Sequence, residues 1–189
     1  MIDFARLVNT ADVPEFRAKI GSFLDVDEFL RFIAIHAIIM SRDSYLSGRH
    51  NYFIYLDPKD DRFRFIPWDE DGSIAGGNAR AVSTDLMRPF TSENPLGDWL
   101  LDDPTIAAKY RTIVKEVMAT AFNRTELLKL IGSIEAVISE PLAKESSAMT
   151  TRGERNNFGN GPAPRSFVES RAATIEQQIR LWPDAAAVK

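Results

Sequence analysis

Tyr52-Phe53-Ile54-Tyr55-Leu56, then Asp57-Pro58-Lys59-Asp60-Asp61, then Arg62-Phe63-Arg64-Phe65-Ile66-Pro67-Trp68-Asp69-Glu70-Asp71 run on without a break, and their reading decides the fold. The first piece is rich in aromatic and β-branched residues, which suit a pleated, half-buried surface. The second has turn chemistry, with Pro58 setting φ for a type I turn. The third alternates charged and apolar side chains up to Ile66, the period of a strand with one buried face. A β-hairpin over Tyr52–Leu56 and Arg62–Ile66 is expected, ended by Pro67. Behind it, the glycine-rich stretch Gly72 to Gly77 opens a long irregular segment reaching about Pro95.

Outward from the hairpin the pattern turns helical. Asp12-Val13-Pro14-Glu15 places a cap before an early proline. Asp25 with Glu28 three residues on has capping-box spacing. Val26, Phe29, Leu30, Ile33, Ala37 and Met40 then keep helical period, so a buried helix should end near Ser41-Arg42-Asp43. On the far side, Ile106, Tyr110, Ile113, Val117 and Ala121 form one stripe. Leu127, Leu128, Ile131, Ile134 and Ile138 form another. Phe167, Val168, Ala172, Ile175 and Ile179 form a third, after a polar loop from Thr150 to Pro164. The fold class is α+β: mostly helical, one short hairpin packed among five or six helices, within a single domain over residues 1–189.

Composition narrows the function. The chain has no cysteine, which excludes a disulfide scaffold and thiolate metal sites. Lys and Arg are scattered and the net charge is −4, so no nucleic-acid surface is expected. The longest apolar run, Phe32 to Met40, falls far short of the roughly 20 residues a bilayer-spanning helix needs, so no membrane span is expected. We expect a soluble protein, or a soluble piece of a longer exported one.

The chemistry-bearing residues lie between Asp43 and Asp71. Asp69 and Asp71 flank Glu70 directly after a strand, and in extended backbone residues two apart face the same side. Their carboxylates would stand about 6–7 Å apart, repelling by about 3 kcal/mol at an effective dielectric near 20. Such a pair either draws in a cation or caps a turn. Oxygen ligands with few histidines favour Mg²⁺ or Mn²⁺ over zinc. Asp43 ends the buried helix and Asn51 starts the hairpin. An Asp, an Asn, a hairpin and a further Asp is the order of parts in a kinase catalytic half. Alternatively, Asp43 is a helix-end residue and Asn51 a strand-edge hydrogen bonder. His50 reads first as a structural hydrogen bonder and second as a nucleotide contact. Arg42 and Arg49 are within reach of a phosphate or are solvated charges. Glu70 should point away from its two neighbours.

Arg42-Asp43-Ser44-Tyr45, His50-Asn51-Tyr52-Phe53-Ile54-Tyr55 and Phe63-Arg64-Phe65-Ile66-Pro67-Trp68-Asp69-Glu70-Asp71 together resemble the central signature of the CotH kinase family, the spore-coat-protein-H-like atypical protein kinases. Val26 to Phe32, Leu101 to Tyr110 and Phe167 to Arg171 resemble its flanking helices. The resemblance implies a kinase C-lobe-like fold and transfer of phosphate from ATP to a protein hydroxyl, with Mg²⁺ or Mn²⁺. It implies Asp43 as the catalytic aspartate, Asp69 as the principal metal ligand with Asp71 supporting it, and Asn51 as a second metal ligand. His50 and Asn51 would face the nucleotide. It also implies an exported, cell-surface or spore-coat location.

Three departures stand out. Ile74 and Ala75 occupy places where the family carries an aromatic and a glycine, with Gly76 one later, so a rearranged loop is expected. The N-terminal part with its nucleotide-covering strands and lysine has no counterpart, since Lys19 alone precedes Asp43 and sits in a helical stretch. Residues 79–95 match nothing. A piece of a longer kinase is the first reading. A non-catalytic interaction module of a coat or surface assembly is the second. A calcium-stabilised surface module using Asp69, Asp71 and Asp57 is the third.

Overall fold

Local signals start most of the helices. The computed structural model describes residues 1–41, 43–74, 83–152 and 164–183. Helix α1 spans Ile2–Thr10, and α2 spans Val13–Phe23 with the Asp12 side chain accepting from the Glu15 amide. Helix α3 spans Val26–Ile39, and Asp25 accepts from the Glu28 amide at 3.1 Å. Each side-chain acceptor satisfies an amide that the first turn leaves without a partner. Helix α4 runs Pro95–Leu101 behind Asn94, and α5 runs Pro104–Ala119 behind Asp103, each with a proline at the helix start. Helices α6, Arg124–Arg152, and α7, Pro164–Leu181, complete the set. The described residues thus hold seven α-helices, one or two more than the apolar stripes suggest. The additions are α1 and α4, short elements whose apolar positions are too few to show a period.

Strands β1, Tyr52–Asp57, and β2, Arg62–Pro67, pair antiparallel with Tyr52 opposite Pro67 and Asp57 opposite Arg62. Phe63 and Phe65 point into the core, where Phe65 meets Phe29 of α3 at a ring-centroid distance of 4.8 Å. Pro67 is the last residue of β2 and does not precede its end. The turn is drawn tight by Asp60. Its carboxylate accepts from Arg62 and Arg64, and the Arg64 hydrogen bond foremost holds the Asp60 carboxyl down at about 2.

Helix α3 is the centre of the molecule. Phe29, Leu30, Ile33, Ala34 and Ile38 are almost wholly enclosed, between β2 on one flank and α5 on the other. Against its last turn lies Arg171 of α7, a fully buried cation that donates to the carbonyls of Ala37, Ile38 and Thr84. Burial pushes its guanidinium down to about 10, which still leaves it charged at neutral pH. Helix α6 differs from its expected stripe. Leu127, Leu128 and Ile131 pack on the core, but Ile134 and Ile138 are exposed, and no α6 residue is fully buried. Gly76 and Gly77 of the glycine-rich stretch, Arg42 and most of the loop before Pro164 lie outside the described residues.

Two outcomes follow. Arg171→Met strands the carbonyls of Ala37 and Ile38 in the core, while that of Thr84 keeps Gln178 as a donor, and urea unfolding should show a loss of about 3 kcal/mol, because a lost charged hydrogen bond outweighs the desolvation it relieves. Asp60→Asn should weaken the hairpin in a pH-dependent way. The folded carboxyl titrates below its ordinary value of 3.8, at about 2. Its contribution is therefore complete above the ordinary value and disappears as pH falls through the folded one. Wild type and variant should differ in melting temperature at pH 6 and converge near pH 2.

Candidate functional site

The polypeptide leaves α3 by reversing direction. Met40 takes the left-handed conformation, φ 57°, and its amide and that of Ser41 both return to the His36 carbonyl. Residues 43–49 then fold into a knot of turns around Ser44. The Ser44 carbonyl accepts from the amides of Ser47, Gly48 and Arg49, and its hydroxyl donates to Ser41. This knot presents Asp43 at the surface.

Asn51 and His50 close on Asp43 from the other side. Asn51 sits at φ 57° and its Nδ2 donates to the Asp43 carbonyl at 2.7 Å. That bond commits the amide nitrogen and leaves Oδ1 as the end open to a cation. His50 Nδ1 lies 3.0 Å from Asp43 Oδ1. Gly48 makes room for this contact, since a Cβ there would overlap the His50 ring. Arg49 donates to the Glu93 carbonyl.

The hairpin brings in the acid pair. The Trp68 amide donates to the Asn51 carbonyl at 3.0 Å, which fixes the exit of β2 beside the entry of β1. Asp69 then takes a left-handed conformation, φ 55° and ψ 66°, and starts a 3-10 turn over Glu70–Gly72. The expectation of extended backbone through Asp69 and Asp71 is thereby corrected. The Ser73 amide closes this turn on the Glu70 carbonyl, and the Glu70 side chain ties it to His36 of α3. In this turn the charge of Asp71 acts on the Asp69 carboxyl more strongly than any other group does. Gly72 lies beside Asp43, where its missing Cβ would meet the Asp43 Cβ at 3.8 Å.

Three separate segments thus converge. The charge of Asp71 foremost, then loss of water, their shared hydrogen bond and the charges of Asp43 and Glu70 raise the Asp69 carboxyl above its ordinary value. Asp69 makes no capping bond to its own turn, so the turn does not account for its carboxylate. Glu70 points the opposite way, inward, with Oε1 2.8 Å from Nε2 of the buried His36 and Oε2 accepting from Ser73 at 2.7 Å. Burial raises the Glu70 carboxyl, but the hydrogen bonds from Ser41 and Ser73 together with His36 outweigh it and hold the group below its ordinary value. His36 entered the sequence reading only as part of an apolar run. Its pairing spans 34 positions, and no local pattern announces it.

Among the described residues, no group of three or more His, Asp and Glu side chains is arranged to hold a metal ion. The donor set nevertheless fits a hard divalent cation, because Mg²⁺ commonly takes one or two carboxylates and fills its remaining positions with water and phosphate oxygens. Asp69 and Asp71 are such a pair. The calcium trio with Asp57 does not assemble. Asp57 stands at the turn end of the hairpin, five residues along β1 from Tyr52, about 17 Å from the site end.

A family model described as CotH kinase protein matches residues 1–175. The inner spore coat protein H of Bacillus subtilis is 24% identical over 116 residues, which is 61% of this chain and 31% of that protein. The invasin CotH2 of Rhizopus delemar is 25% identical over 150 residues, 75% of this chain and 25% of that protein. The chain therefore spans about a quarter to a third of the length of these relatives.

The like-charge contact gives a direct check. Asp71→Asn removes the largest cause of the Asp69 shift, so Asp69 should titrate at lower pH in the variant. A ¹³C carboxyl titration reads this, and an unchanged Asp69 curve would show that the two groups stand apart in solution.

Proposed function

The chain belongs to the CotH kinase protein family, and from that premise we propose that it supplies the acidic half of a phosphoryl-transfer site, moving phosphate from ATP to a protein hydroxyl. The observation that carries the reading is the convergence of Asp43, Asn51 and the Asp69–Asp71 pair from three parts of the chain. Phosphoryl transfer asks little covalent chemistry of a protein. It asks for positioning and for neutralisation of charge on the phosphate oxygens.

Each residue has a part in this scheme. Asp43 orients the substrate hydroxyl and takes its proton, and His50 at 3.0 Å steadies that carboxylate. Asp69 and Asp71, with the Oδ1 of Asn51, would hold Mg²⁺ or Mn²⁺, which when bound would offset charge on the ATP phosphates. The repulsion between the two acids favours cation uptake, because an ion between them relieves it. Lys19 pairs with Glu15 at 2.7 Å on the exposed face of α2 and is assigned no part in the site. The nucleotide-covering part of the site belongs on this reading to a longer polypeptide.

A non-catalytic interaction module is the second reading. The outer face of the hairpin favours it, with Phe53, Tyr55, Ile66 and Trp68 exposed together. The names of the relatives, a spore coat protein and an invasin, support a coat or surface location for either reading. No helix among the described residues is long and apolar enough to cross a membrane.

The intact native polypeptide should melt higher with Mg·ATP, by about 2.7 kcal/mol of added stability when ligand stands at 100 times its Kd. It should also label protein substrates from γ-phosphate-labelled ATP. Asp69→Ala should abolish both effects, and Asp43→Ala should abolish labelling while sparing nucleotide binding. An intact wild-type protein with neither binding nor labelling rules out the kinase reading in favour of the interaction module.

A further inference from the structure

Two like charges do not hold themselves together, so something else must fix the turn that carries Asp69 and Asp71. The residue between them is the one that reaches inward. Glu70 Oε1 meets His36 Nε2 at 2.8 Å, and Oε2 accepts from the Ser73 hydroxyl at 2.7 Å. The other nitrogen of His36, Nδ1, is 2.7 Å from the Phe32 carbonyl, one turn back along α3. A carbonyl only accepts, so Nδ1 carries a hydrogen, and the ring is fixed in angle by a bond at each nitrogen. His36 is 2% exposed and Phe32 packs against its ring at 4.2 Å between centroids. The turn is pinned once more just beyond, where the Ser73 amide donates to the Glu70 carbonyl and the Ile74 amide to the Ile39 carbonyl, both at 3.0 Å. That second pin holds Ile74 at φ 65°, a conformation costly for a β-branched residue.

We propose that His36 and Glu70 are positioning residues for the cation site: the ring, held by the body of α3, clamps Glu70 and so sets Asp69 and Asp71 side by side. Neither residue touches the cation. The clamp acts through the turn, as outer-shell hydrogen bonds do at metal centres, where their loss typically weakens metal binding 10- to 100-fold. Its consequence for binding rests on the cation reading of Asp69 and Asp71, but its consequence for the turn does not.

The test uses His36→Gln, Glu70→Gln and the milder Ser73→Ala in the whole chain, with two readouts. The first is native-state hydrogen exchange at the amides of Ser73 and Ile74, which needs no metal. The clamp requires exchange at these two amides to rise at least tenfold in the Glu70 and His36 variants, and less in Ser73→Ala, while the amides of α5 and α7 keep their wild-type rates. The second is Mn²⁺ affinity, read from the electron paramagnetic resonance of the free ion, expected to fall by about 10- to 100-fold. Wild-type exchange at Ser73 and Ile74 in the variants overturns the proposal, as does an equal rise over the whole protein, which would make His36 an ordinary core stabiliser. If His36→Gln or Glu70→Gln does not fold, Ser73→Ala decides alone, a local rise supporting the clamp and no rise overturning it. A wild-type protein that binds no Mn²⁺ refutes the cation reading, while exchange still decides the clamp.

Discussion

The structure depends on the last turn of α3 and on where its carbonyl groups find partners. A helix end leaves its final four carbonyls without donors inside the helix, and buried ones must be answered from elsewhere. Here all four are answered, from three different quarters. His36 receives the amides of Met40 and Ser41 as the chain reverses. Ala37 and Ile38 receive the guanidinium of Arg171. Ile39 receives the amide of Ile74, the residue that follows the acidic turn. One helix end thus binds the knot carrying Asp43, the last helix and the segment beyond Asp71. The buried cation of Arg171 also suits the negative end of the helix dipole. Disturbing any of these partners acts at once on the core and on the surface acids.

How much of this could be read beforehand follows from the range of each interaction. The caps at Asp12 and Asp25, the hairpin and its turn are set by residues within a few positions of one another, and all appear where the pattern puts them. The assembly of Asp43, Asn51 and Asp69 was suggested by their order. The backbone that achieves it was not, because the 3-10 turn at Glu70 depends on contacts with α3. His36 and Arg171 were the least legible. In sequence the first is one polar residue in an apolar run, and the second is a charge on an amphipathic helix. Only tertiary packing makes one a buried partner of Glu70 and the other a plug for a helix end. The long stripe of α6 erred the opposite way, promising burial that the described residues supply for its first two turns alone.

Backbone strain gives an independent view of the site. Asn51, Asp69 and Ile74 all lie at positive φ within one small region. Asn and Asp are the non-glycine residues that tolerate this conformation best, so turn geometry by itself would be enough to explain their presence. The side chains separate the two explanations. An Asp retained for its turn usually bonds a nearby amide, yet Asp69 makes no such cap and spends its carboxyl against Asp71, at an electrostatic cost. Asn51 likewise bonds across to Asp43, eight residues away, and not to its own turn. Ile74 has neither excuse, and its strain is borne because the bond to Ile39 closes the account of α3. Local strain and unfavourable charge that the rest of a fold sustains mark a region shaped by something other than stability. In this molecule both fall on the same turn, and the buried face of that turn is where the fold supplies the compensation.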